Sequence, residues 1–176
     1  GGSSLIIVNV VNADVLPGYL ENDLIKLQMI AFPVFINYYS DENEYADAQE
    51  AEKDGSKWLI DDGSIFPAAF LFNHNPDVKE EDKNYDLDDR VLMRGKVKGI
   101  YHGVFGDGGE RQKAFIRCRI ETQHGDIEVA HTVDQVPEQL RKNLRVGALV
   151  TGEFVLSGDA AICEYENGYI KDSEHN

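Results

Sequence analysis

The chain has 176 residues, 42% hydrophobic and 28% charged, with a formal net charge of -15 at pH 7. This length suits one ordinary domain, or two small ones sharing an interface, and no apolar run approaches the roughly 20 residues of a membrane helix. Two cysteines, Cys118 and Cys163, have neither CxxC spacing nor the density of a disulfide scaffold; they read as free thiols, with a single bridge between them left open.

The acidic charge is unevenly placed. Residues 1–89 carry 5 basic and 19 acidic side chains, residues 90–145 carry 11 and 7, and the rest carry 1 and 6. The expected organisation is an acidic N-terminal half, 1–89, and a second unit, 90–176, joined by the solvated run KEEDKNYDLDD. The chain opens on GGSS without Met, as a trimmed N-terminus would, so a removed signal or anchor stays open and a cytoplasmic location is the working expectation.

LIIVNVV, Leu5 to Val11, is β-branched and reads as a buried strand. LIKLQMIAFPVFINYY, Leu24 to Tyr39, reads as two strands or one bent strand, with Pro33 forcing an edge or a bulge. Ser40 is expected to cap a short acidic helix that ends at Gly55. Only Tyr45, Ala48 and one or two further alanines can face a core, so this helix belongs on the surface. KWLIDDGSIFPAAFLF then reads as a hairpin about Asp-Gly, with Trp58 and Phe66 as core aromatics.

The second unit is more regular. VLMRGKVKGIYHGVF alternates from Val91 to Tyr101, with Gly95 and Gly99 placed to let a long strand coil or bulge. Val91, Met93 and Val97 should point inward, and Arg94, Lys96 and Lys98 outward. KAFIRCRIET and DIEVAHT make a hairpin, in which Ile116, Cys118 and Ile120 face the core and Phe115, Arg117, Arg119 and Glu121 face away. VDQVPEQLRKNLRVG predicts a helix of about three turns, carrying Val136, Leu140 and Leu144 and stopping at Gly147. ALVTGEFVLSG and AAICEY predict two more strands.

Three strands, a helix and two strands, the first coiled at its glycines, resemble the OB-fold, a five-stranded Greek-key barrel, over about residues 90–166. The expected fold class is therefore mainly β with short helices: a C-terminal OB-like barrel packed with an acidic N-terminal α+β half. The resemblance implies a binding face on the second and third barrel strands without implying an activity.

On that face the candidate ligand-binding residues are Lys98, Tyr101, Phe105, Arg117 and Arg119, where cations would follow a phosphate backbone and aromatics would stack bases. The competing reading is a solvated exterior, its cations paired with Glu121, Glu128 and Glu153, or covered by the acidic half. A second candidate surface is the acidic helix, with Asp41, Glu42, Glu44, Asp47 and Glu50 presented to a basic protein partner.

Other chemistry is thin. His74, His102, His124, His131 and His175 lack zinc-ligand spacing, and only His102 and His131 could be brought close by the fold. Asp82 to Asp89 imitates the start of a calcium loop but has Leu87 and Met93 where Gly and Glu belong. GDGG, Gly106 to Gly109, lacks the Lys-Ser/Thr of a phosphate loop and reads as a hairpin loop. No acid, base and nucleophile set can be assembled, and no cofactor or metal is expected. The leading expectation is a non-enzymatic interaction protein with a protein partner, nucleic acid being disfavoured; the alternative is a single-stranded nucleic-acid or oligosaccharide binder.

Overall fold

The computed structural model describes residues 7–10, 25–51, 60–69, 79, 89–106, 112–162, 165–166 and 169–170. Its elements are β1 (Asn9–Val10), β2 (Ile25–Tyr39), α1 (Glu42–Ala51), β3 (Ile65–Pro67), β4 (Arg90–Phe105), β5 (Lys113–Thr122) and β6 (Gly125–Thr132), followed by a 3-10 turn (Val133–Gln135), α2 (Glu138–Arg141), β7 (Leu149–Ile162), β8 (Tyr165–Glu166) and β9 (Tyr169–Ile170). The fold is mainly β with few, short helices.

Seven strands form one sheet in the order β1-β7-β2-β6-β5-β4-β3, and a further β4–β7 pairing bends it back on itself. Five strands thereby make a partial ring: β4 pairs with β5, β5 with β6 and β7 with β4, all antiparallel, while β2 lies antiparallel to β7 along its whole length. The ring is thinnest between β2 and β6, which run parallel and share only the pairs Ile30↔Glu128 and Ala31↔Val129.

That arrangement corrects the expected strand supply. The fifth ring strand was expected from AAICEY; instead Ala160 to Ile162 simply continue β7, and the vacant place is taken by Ile25–Tyr39 from the acidic half. The physical reason is reach. A strand as long as β7 offers a hydrogen-bonding edge of 14 residues, and β2, one bent strand with its irregularity between Pro33 and Phe35, is long enough to fill it. The parallel β2–β6 contact likewise departs from an all-antiparallel barrel. The change of charge near Asp89 therefore does not coincide with a break in the hydrogen-bonded sheet.

The interior matches the alternation read from the sequence. Val91, Met93, Val97, Ile116, Cys118, Ile120, Val129, Val150 and Phe154 are all buried, joined by Ala31, Ile36 and Tyr38 of β2. Gly95 is required by close approach, since a Cβ there would lie 2.4 Å from the Glu121 carbonyl oxygen. The expected bulge falls between Val97 and Gly99.

The expected three-turn helix is broken. Pro137 has no N–H to donate to a helix, so the segment resolves into the 3-10 turn and the single turn α2. Its apolar positions still serve the core: Val136 is buried, Leu140 and Leu144 pack against it, and the chain turns at Gly147 with φ +88°. At the N-terminal end the strand expected over Leu5 to Val11 is described only as β1. A tight turn does form at Asp62–Gly63, where Gly63 has φ +76° and Ser64 N–H donates to Asp61. Its following strand β3 pairs with β4, and Phe66 is half-buried rather than a core aromatic. Trp58, Cys163, the calcium-like run from Asp82 to Leu87, and Asp107 to Gly109 lie outside the described residues.

Candidate functional site

The outer face of β4, β5 and β6 collects all five candidate ligand-binding residues. Register sets Tyr101 beside Arg117, Gly99 beside Arg119 and Phe105 beside Lys113, so these side chains share one face of the pleat. Arg117 stacks on Tyr101, with the guanidinium carbon 4.8 Å from the ring centre, and Phe105 and Phe115 lie 6.1 Å apart at an interplanar angle of 55°.

The three candidate cations of this face are already engaged. Arg117 and Arg119 both approach the carboxylate of Glu128 on β6, at 3.3 and 3.5 Å. Lys98 meets Glu121 at 2.6 Å, Lys96 meets Asp62 at 3.0 Å and Arg90 meets Glu153 at 3.1 Å. The hydrogen bond to Glu121 holds the Lys98 ammonium above its ordinary pKa. Cross-strand pairing therefore accounts for Arg90, Lys98, Arg117 and Arg119, while Lys96 is paired with Asp62 of the acidic half.

Beside this face Lys96 and Glu121 line a shallow depression with Asp62, Gly63, Thr122 and Gln123. Two hydrogen bonds join its sides, Gln123 N–H donating to the Gly63 carbonyl and the Gln123 side-chain Nε2 to that of Asp62.

The acidic helix spends most of its N-terminal carboxylates on itself and on the sheet. Asp41, not Ser40, is the cap: its Oδ1 accepts from the N–H groups of Asn43 and Glu44, because the helix starts one residue later than expected. Glu44 accepts from the Ser40 N–H and from Asn143 Nδ2, and the Ser40 bond is the main reason its pKa is lowered. Glu42 pairs with Arg94. Asp47 and Glu50 remain exposed, while Tyr45 is buried and Ala48 packs beside it.

Arg94 points away from the core, as alternation expects, but not into solvent. It is 8% exposed because α1 and the 60–65 segment cover that side of β4. Its guanidinium donates to the Ile60 carbonyl at 2.7 Å, pairs with Glu42 and lies over the Tyr45 ring. Periodicity separates the two faces of a strand and does not say what covers the second one.

Inside the ring, a polar chain crosses the apolar core. Tyr38 Oη lies 2.8 Å from His131 Nε2 and 3.8 Å from Cys118 Sγ, and His131 Nδ1 lies 2.9 Å from the Thr132 carbonyl oxygen. The carbonyl requires a proton on Nδ1, so Nε2 accepts from the Tyr38 hydroxyl. Burial raises the Tyr38 hydroxyl, lowers His131 and pushes the Cys118 thiol up to about 11. A neutral thiol without solvent access is a poor nucleophile, so the chain is better suited to holding β2, β5 and β6 in register. His102 and His131 are not brought together: both sit opposite Ile116, on different sides of β5. Among the described residues no group of three His, Cys, Asp or Glu side chains is placed to hold a metal.

Among the described residues no helix is long and apolar enough to cross a membrane. Compared with known proteins, the chain matches no protein family, no curated protein and no solved structure.

Proposed function

We propose that this chain is a non-enzymatic interaction protein built on an OB-like barrel and that it engages a protein partner. The ring order β4-β5-β6-β2-β7 supports the OB-like reading, with the last place filled from ahead of the first strand in sequence. The observation that carries the functional reading is the pair of arginines converging on Glu128, together with the Lys98–Glu121 contact. Affinity for single strands comes from cations that neutralise phosphates and from stacked bases. Here those cations would have to abandon carboxylates within the same sheet, on a molecule of net charge -15.

The remaining acidic surface, including Asp47 and Glu50, favours a partner that is basic. Fluorescence anisotropy with labelled single-stranded DNA and RNA at about 150 mM salt tests the reading. The expected result is no binding at micromolar protein; micromolar or tighter binding at that salt, abolished by Arg117→Glu with Arg119→Glu, would replace it by the nucleic-acid alternative.

A further inference from the structure

The outer half of β4 has an open edge. Val97 exchanges main-chain bonds with Gly147 and Ala148, and there the line of β7 ends. From Gly99 to Phe105, β4 is paired with β5 on one side, and among the described residues no strand pairs with it on the other. Antiparallel strands alternate the direction of their main-chain groups, and the bulge after Val97 adds one residue to the count. Ile100, His102 and Val104 consequently turn their N–H and C=O groups toward the open edge.

Natural sheet edges are ordinarily blunted by charges or proline. Between Gly99 and Phe105 there is neither an Asp, Glu, Lys or Arg nor a proline. The segment instead exposes Tyr101, Val104 and Phe105 at 42, 56 and 50%, and Val146, where β7's line gives out, is 64% exposed.

We propose that a second copy of this chain pairs with this edge, antiparallel and two-fold symmetric about His102. The sequence GIYHGVF is self-complementary in that register. Tyr101 meets Gly103 of the second copy, Phe105 meets its Gly99, and both pairs lie on the outer face; Ile100 meets Val104 on the other. Each incoming aromatic thus lands beside a glycine that already has an aromatic neighbour in its own sheet, since a Cβ at Gly99 would lie 3.5 Å from the Tyr101 ring. Gly103 is already part of an aromatic surface, because the Phe115 ring lies where a Cβ would be, 2.4 Å away. The incoming Tyr101 would extend the Phe105–Phe115 pair.

Charge does not oppose this contact as the net value suggests. Residues 98–106 and 112–120 contain no Asp or Glu. The acidic helix is fastened at Arg94, roughly 25 Å back along β4 from His102 at about 3.3 Å per residue, which is some three Debye lengths at about 0.15 M salt. Self-association should therefore strengthen as salt rises, because screening removes the body's repulsion and leaves apolar burial.

Sedimentation velocity over a range of protein concentrations, at about 50 and 500 mM salt, tests the proposal. Expected is a reversible dimer, tighter at the higher salt. His102→Pro removes the central edge N–H without touching the β5 ladder; it should weaken the dimer at least tenfold while circular dichroism stays unchanged. Should that variant fail to fold, Val104→Lys gives the same loss by charging the edge. A positive readout comes from His102→Cys in a Cys163→Ser background. Facing hydrogen-bonded residues have Cα atoms about 5.5 Å apart, within disulfide range, so mild oxidation should link two copies, whereas Asp47→Cys should not. A chain that stays monomeric at all concentrations, or a dimer that ignores the edge variants and is cross-linked equally through position 47, overturns the proposal. Oligonucleotide binding is measured separately, so failure of the dimer leaves the functional reading above untouched.

Discussion

The guanidinium of Arg94 lies 4.3 Å from the centre of the Tyr45 ring, and this stack fastens α1 to β4. The same group donates to the Ile60 carbonyl, so one side chain joins three segments distant in sequence. Replacing it by Met keeps much of the stem's packing but leaves that buried carbonyl without its donor. Arg94→Met should cost about 2–4 kcal/mol in urea unfolding, from the lost cation–π contact and the orphaned acceptor. Arg119→Ala, which removes only a surface pair, should stay within about 0.5 kcal/mol of the parent.

Gly95 makes a sharper demand. A methyl group there would meet the Glu121 carbonyl oxygen at 2.4 Å and Ile120 Cγ2 at 2.6 Å, so β4 and β5 would have to separate. Gly95→Ala should destabilise by about 1–3 kcal/mol or more, despite alanine's lower entropy in the unfolded chain. A raised denaturation midpoint in thermal melts would contradict the close approach.

The buried histidine gives a pH dependence with a defined sign. Burial lowers His131 below its ordinary value of 6.5, so the unfolded chain takes up a proton that the folded one refuses. Its contribution to stability is complete above about pH 6.5 and is lost as pH falls from there through the depressed folded value. Urea midpoints measured at intervals from about pH 7.5 to 5 should fall in the parent chain, and His131→Gln should flatten that fall while lowering stability throughout.

Cys118 should be chemically silent in the folded protein. It is 0% exposed and its thiol is pushed up to about 11, chiefly by burial. In a Cys163→Ser background, labelling with iodoacetamide at neutral pH should be negligible under native conditions and should appear in urea along with the loss of structure. Rapid native labelling would mean that the ring opens locally at β5.

The alternation of apolar residues in β4, β5 and β6 was legible from the sequence because a strand with one dry face must repeat with period two. Ile116, Cys118 and Ile120 in, Arg117 and Arg119 out, followed from that rule alone. After β6, Val136, Leu140 and Leu144 keep the spacing of a three-turn helix, but Pro137 breaks the hydrogen bonding without moving those residues from the core. The capping position slipped by one because Ser40 and Asp41 are both good caps, and only the N–H groups that Asp41 reaches distinguish them.

What tertiary structure alone decided was partnership. Strand pairing is a long-range choice made by edges of matching length, and no local pattern tells β7 to take β2 from the acidic half instead of a strand from its own C-terminal side. Likewise, sequence gave Arg94 the same standing as Arg117 and Arg119. The fold laid α1 over one and left the others facing solvent beside Glu128, because burial of an outward side chain depends on which distant segment packs above it.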